Sequence, residues 1–95
     1  MIKFNFYHVR FIRGKTEKQL VINGEIENLS GKNYNTVAIR VIIFGGNKSM
    51  INTTIMLRGL NYSQTKAFYK QLDVADCNEL LEKITRYEIH IESVY

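Results

Sequence analysis

Ninety-five residues suffice for one hydrophobic core and leave no room for a second, so a single domain over residues 1–95 is expected. Apolar residues make up 45% of the chain and charged residues 23%, globular proportions that let it bury enough apolar surface to offset its ordering entropy and argue against a disordered chain. A net charge of +4 and a pI near 9.3 favour acidic partners in general without defining a site, and the single cysteine, Cys77, excludes an internal disulfide and a thiolate zinc centre.

The start of the chain, MIKFNFYHVRF, alternates instead of placing a continuous apolar run after a basic segment, so it does not read as a signal peptide. No stretch approaches the roughly 20 apolar residues that span a bilayer. The expected location is therefore cytoplasmic, or extracytoplasmic if a leader or anchor has been removed. From Ile2 to Arg13 the apolar parity runs through Phe4 and Phe6 and then shifts to Val9 and Phe11. Each single-residue step exchanges the two faces of a strand, so the shift predicts a bulge or a crossing between sheets. Gly14 to Lys18 is a turn.

The stretch Leu20 to Phe44, LVINGEIENLSGKNYNTVAIRVIIF, reads as two strands joined as a hairpin by a short Ser-Gly turn. Leu20, Ile22, Gly24 and Ile26 share the buried face of the first strand, opposite Val21, Asn23, Glu25 and Glu27. Asn28 to Asn35 concentrates turn formers, with Gly31 available for a positive φ. Val37, Ile39, Val41 and Ile43 line one face of the second strand, and its other face, with Ala38, Ile42 and Phe44, is apolar enough to suggest a central position.

Gly45 to Ser49 is a second tight turn, and Met50 to Leu57 is a strand with Ile51, Ile55 and Leu57 as core candidates. Arg58 to Gln64 is a loop in which Leu60 plugs the end of the core. Thr65 to Leu72 is a strand with Phe68 and Leu72 inward. Lys70 interrupts that face, so either Lys70 lies at the edge with its stem packed and its amine in water, or Tyr69 is the inward residue. Asp76 to Ile84 carries the one helical pattern: Asp76 as N-cap, Glu79 completing a capping box, and Leu80, Leu81 and Ile84 on a face. Thr85 to Tyr95 alternates cleanly, with Tyr87, Ile89 and Ile91 inside and Arg86, Glu88, His90 and Glu92 outside.

Six or seven short strands spaced about 8–12 residues apart predict an all-β sandwich or small barrel. The helix precedes the last strand, whereas an OB-fold carries it between its third and fourth strands. The expectation is a β-sandwich of about seven antiparallel strands with one short helix before the last.

The pattern from Val21 to Leu72 resembles the FxLYD-type immunoglobulin-like domains. Gly24, Ile26 and Asn28 match that family's G-x-(I/V)-x-N strand end, and Tyr34 its turn tyrosine. Val41, Ile43, Phe44 and Gly45 stand where the family has F, L, Y and D, followed by Gly46, and Leu60 and Phe68 match its later leucine loop and phenylalanine strand. The aspartate is absent and the helix is a departure. The resemblance implies an immunoglobulin-like sandwich and no catalytic residues.

The chemistry-bearing side chains are few. His8 and His90 sit on amphipathic strands with no carboxylate at metal-ligand spacing, and Glu25 and Glu27 share an ordinary solvated face. Cys77 at a helix N-terminus could have a lowered pKa, but a buried structural thiol is the commoner outcome. Gly14-Lys15-Thr16 and Gly45-Gly46-Asn47-Lys48-Ser49 open no helix and are turns rather than phosphate loops. The N-x-[ST] sequons at Asn28, Asn47, Asn52 and Asn61 matter only outside the cytoplasm.

No catalytic, metal or cofactor-binding residue is therefore expected. The preferred expectation is a non-catalytic module that contacts protein, or itself, through an edge strand or sheet face, with Tyr87, His90 and Tyr95 of the last strand as the candidate surface. The alternative is a single-stranded nucleic-acid surface built from His8, Arg10, Arg13, Lys15 and Lys18 with Tyr7 and Phe11 interleaved. Against it stands the common use of such charges to blunt an edge strand.

Overall fold

The structure is a computed structural model that describes residues 3–95. Alternation of β-branched and polar residues produces six strands: β1 (Phe4–Arg13), β2 (Gln19–Asn28), β3 (Tyr34–Gly45), β4 (Lys48–Leu60), β5 (Thr65–Asp73) and β6 (Arg86–Val94), with one helix, α1 (Cys77–Lys83), before the last. They form two antiparallel three-stranded sheets, ordered β1-β2-β5 and β4-β3-β6. The architecture is the expected all-β sandwich, with six strands among the described residues rather than about seven.

The inward faces of the two central strands supply most of the core. Leu20, Ile22 and Ile26 of β2 lie against Val37, Ile39, Val41 and Ile43 of β3, all fully buried, with Ile55, Leu60, Phe68 and Cys77 around them. Each buried Ile or Leu contributes on the order of 2 kcal/mol of transfer free energy.

The expected hairpin over Leu20 to Phe44 is corrected. β2 and β3 do not pair; each is the central strand of a different sheet, and the connection between them crosses from one layer to the other. The reason lies at Asn28. Its backbone N–H donates to the Gln64 carbonyl at 3.0 Å and its carbonyl accepts from Ser63 N at 2.8 Å, so the end of β2 is tied to the β4–β5 loop. The hairpins that do form are β1–β2 and β3–β4, while β4 and β5, like β2 and β3, lie in different sheets. β4 also runs on through Leu60, three residues past its expected end, with Gly59 just before that end at a φ of +76°.

The parity shift in the first strand is a bulge. The β1–β2 register slips between Tyr7 and Arg10, and His8 takes up the extra residue at a φ of +53°, so that Phe4, Phe6, Val9 and Phe11 all reach the core.

Lys70 lies on the inward-facing row of β5, and Tyr69 is the exposed neighbour. Its amine does not end in water: Nζ donates to the Thr54 carbonyl of β4 at 2.7 Å. Four residues earlier, Lys66 Nζ donates to the Arg58 carbonyl at 2.6 Å and the Gly59 carbonyl at 3.0 Å. Two ammonium groups thus join the sheets along the β4/β5 side. On the β1/β6 side the seam is aromatic, with the Phe11 and Tyr87 rings edge to face at 5.0 Å.

The helix α1 closes one end of the sandwich. Asp76 caps it, accepting from Glu79 N at 3.2 Å. The Glu79 carboxylate does not return to the cap as the capping box requires; it accepts from Lys83 Nζ one turn on, at 2.6 Å. Cys77 N donates to Glu17 O at 2.6 Å and Val74 N to Lys18 O at 2.9 Å, which fixes the helix over the β1–β2 turn.

Candidate functional site

The four sheet edges differ in how they are finished. β4 has carbonyls occupied by Lys66 and Lys70. β1 is broken by the bulge at His8. β5 faces β4 across those lysine bridges. β6 pairs with β3 on one side, and no strand among the described residues pairs with its other side.

The direction of the backbone groups on β6 follows from the ladder. Tyr95 N donates to Thr36 O at 3.0 Å and Thr36 N to Tyr95 O at 3.4 Å, so Thr36 and Tyr95 form a hydrogen-bonded pair. In an antiparallel ladder such pairs alternate with pairs that share no bond, which makes Ala38–Ser93, Arg40–His90 and Ile42–Glu88 the bonded pairs. The Lys70 contact agrees: Thr54 lies opposite Arg40 on the other side of β3 and turns its carbonyl away from β3. On β6, then, Glu88 and His90 direct their N–H and C=O toward β3, and Tyr87, Ile89 and Ile91 direct theirs outward. Past Ile91 the register slips, with Glu92 as the extra residue.

The side chains of this edge divide by face. Arg86, Glu88, His90 and Tyr95 stand on the outer face, Tyr95 being 71% exposed. Tyr87 points inward, but at the open seam, where it is 43% exposed. The candidate residues Tyr87, His90 and Tyr95 therefore share one edge without sharing one face. Arg86 lies over the Phe44 ring at 3.8 Å and donates to the Glu88 carboxylate at 2.9 Å.

Further up the same face Arg40 donates to Asn52 Oδ1 at 2.6 Å and to the Glu92 carboxylate, whose other oxygen accepts from Thr54 Oγ1 at 3.4 Å. The Arg40 guanidinium, followed by the Thr54 hydroxyl and nearby His90, holds the Glu92 carboxyl below its ordinary range. This network was not legible in the sequence, since its members come from three strands.

The basic candidates are spread along β1 and its turn. His8 Nδ1 lies 2.7 Å from Glu25 Oε1, and the Tyr7 hydroxyl donates to Glu27 Oε1 at 2.7 Å. That hydrogen bond to Glu27 keeps the Tyr7 proton on above its usual range. Arg10 lies opposite Asn23 and Arg13 opposite Leu20 in the ladder, with Lys15 and Lys18 in the exposed turn beyond. Phe11 points into the seam toward Tyr87, so of the two interleaved aromatics only Tyr7 is on the same face as Arg10. Two carboxylates, Glu25 and Glu27, lie within this surface.

Among the described residues, no three of His, Cys, Asp and Glu come together at metal-binding distances. Two shallow depressions of about 470 and 220 Å³ flank the helix and share Met50 and Lys83; Lys83 is already paired with Glu79. Cys77, the first residue of α1, is buried, and burial pushes its thiol up from the ordinary value, more strongly than nearby Arg13 pulls it down. No described helix is long and apolar enough to cross a membrane. The chain matches no protein-family model, no curated protein and no solved structure.

Proposed function

We propose that the chain is a non-catalytic immunoglobulin-like module of the FxLYD type, and that it binds protein by accepting a strand at the free edge of β6. The observation that carries this reading is the row of outward N–H and C=O groups at Tyr87, Ile89 and Ile91, on an edge with which no described strand pairs. Backbone groups of this kind give affinity by main-chain hydrogen bonding, and the side chains on alternate positions give selectivity.

The family part of the reading is supported by the way its motif residues meet. Gly24 lies directly beneath Phe68, where a Cβ would stand 2.7 Å from the ring. Asn28 Nδ2 donates to the Leu60 carbonyl at 3.0 Å. The glycine and phenylalanine of the pattern thus meet in the middle of β2 and β5, and the asparagine ties the end of β2 to the end of β4. Single-stranded nucleic acid is the weaker reading, because carboxylates interleave the basic residues of β1 and Phe11 is turned inward.

The test is capture of a binding partner followed by hydrogen exchange on the complex. Slowed exchange at the amides of Tyr87, Ile89 and Ile91 is expected. Protection confined to β1 and the turn at Lys15 and Lys18, or to a sheet face, would overturn the assignment to this edge.

A further inference from the structure

We infer that the strand completing the β6 edge is β6 of a second copy of this chain, laid antiparallel about a twofold axis at Ile89. The inference rests on the reading of β6 as the binding edge and names its occupant.

Backbone geometry restricts the registers. The outward groups belong to Tyr87, Ile89 and Ile91, so hydrogen-bonded pairs across the new contact must join these positions to one another. With the axis at Ile89, that residue meets the partner's Ile89, and Tyr87 meets the partner's Ile91, all on the inner face. On the outer face Glu88 lies opposite the partner's His90, and Arg86 runs toward the partner's Glu92, which stands at the bulge and is held by Arg40 of its own sheet. The acid at Glu88 thus faces a base, and the imidazole can donate an N–H to the carboxylate whether neutral or charged.

The neighbouring registers fail on charge or length. An axis at Glu88 sets that carboxylate against the partner's Glu88 and Arg86 against the partner's His90. An axis at His90 stacks the two imidazoles and sets Glu88 against the partner's Glu92. Moving the axis to Tyr87 carries Ile91 off the end of the strand, and moving it to Ile91 runs the ladder through the bulge at Glu92. The Ile89 register alone joins Tyr87, Ile89 and Ile91 without entering the bulge and opposes no like charges.

The other edges of the same sheet explain why such an assembly would stop at two. Joining two copies through β6 gives a continuous sheet ordered β4-β3-β6-β6-β3-β4. Both of its outer edges are β4, whose carbonyls are occupied by Lys66 and Lys70. A twofold contact of this kind is closed, and the lysines obstruct a further strand where they occupy the Thr54, Arg58 and Gly59 carbonyls.

Sedimentation equilibrium on the 95-residue chain tests this, with expected mass about twice the 11.1 kDa of one copy. His90→Glu sets carboxylate against carboxylate at both ends of the contact, and Glu88→Lys sets cation against imidazole. Each is expected to raise the dimer dissociation constant at least about tenfold. Mixing the two variants brings the introduced lysine opposite the introduced glutamate and is expected to restore the dimer, which also shows that both variants fold. A mass of one copy at concentrations approaching millimolar would overturn this inference while leaving β6 open to a different protein. A dimer unaffected by either substitution would overturn it as well. A dimer whose slowed amides lie on β1 or β5 would overturn both this inference and the reading of the edge.

Discussion

The Asn28 side-chain amide donates to the Leu60 carbonyl oxygen at 3.0 Å and to the Lys32 carbonyl at 2.7 Å. Its own oxygen accepts from Ser30 N at 2.9 Å and Ser30 Oγ at 2.6 Å. The residue is fully buried, so one side chain satisfies backbone groups of the β2–β3 crossing and of the end of β4.

Replacing this residue tests that role. Asn28→Ala leaves two carbonyls without their donor and is expected to cost about 1–3 kcal/mol. Asn28→Asp adds a buried negative charge facing those same oxygens, and a loss of about 3–5 kcal/mol is expected at neutral pH. Urea denaturation of the two variants checks the order; equal and small losses would show that water replaces the amide.

Gly24 makes a separable prediction. A Cβ there would lie 2.7 Å from Phe68 Cζ and 3.2 Å from the Val9 backbone Cα. The ring is itself buried and cannot swing away freely, so Gly24→Ala is expected to cost about 1–3 kcal/mol by overpacking. Trimming the ring with Phe68→Leu in the same chain should recover part of that loss, giving non-additive free energies in a double-mutant cycle. Additive effects would place the strain at Val9 instead.

How much of this was legible in the sequence depends on what alternation can encode. A period of two tells which side chains share a face, and the buried rows Leu20, Ile22, Ile26 and Val37, Ile39, Val41, Ile43 were visible that way. It does not tell whether two adjacent strands lie side by side or face to face, because either arrangement buries the same rows. Hence β2 and β3 read as a hairpin although they belong to different sheets. The His8 bulge was readable because an extra residue changes the parity. The Asn28 hub was not, because an asparagine among Ser, Gly and Asn is an ordinary turn former until its partners at Lys32 and Leu60 are seen. Tyr87 and His90 lie on the edge strand β6 and Tyr95 just beyond its end, but the direction of the backbone groups needed the neighbours on β3.

The lysine bridges predict an effect on association as well as on stability. Lys66→Met and Lys70→Met keep the packed stems and remove the ammonium groups from the Arg58, Gly59 and Thr54 carbonyls. Each loss should cost about 0.5–1.5 kcal/mol, since the sites are only half-buried. The double variant should also aggregate faster than the parent protein in light-scattering time courses, because the β4 edge is then open. A destabilised protein with unchanged association would show that the lysines tie the sheets together without guarding the edge.

Cys77 gives the pH prediction. Burial at the start of α1 pushes its thiol pKa up, an effect that Arg13 only partly offsets and Asp76 reinforces. A group whose pKa is higher in the folded state binds its proton more tightly there. Its contribution is therefore fully present below the unfolded thiol value of about 8.5 and is lost as pH rises through the higher folded value. Stability measured by urea denaturation should fall above that point in the parent and fall less in Cys77→Ala, which cannot ionise. Alkylation of the parent should in turn be slow at pH 8 and accelerate with denaturant, because the thiol must first be exposed by opening of the helix. Rapid labelling under native conditions would show that α1 detaches readily from the β1–β2 turn, despite the hydrogen bonds from Cys77 N to Glu17 O and from Val74 N to Lys18 O.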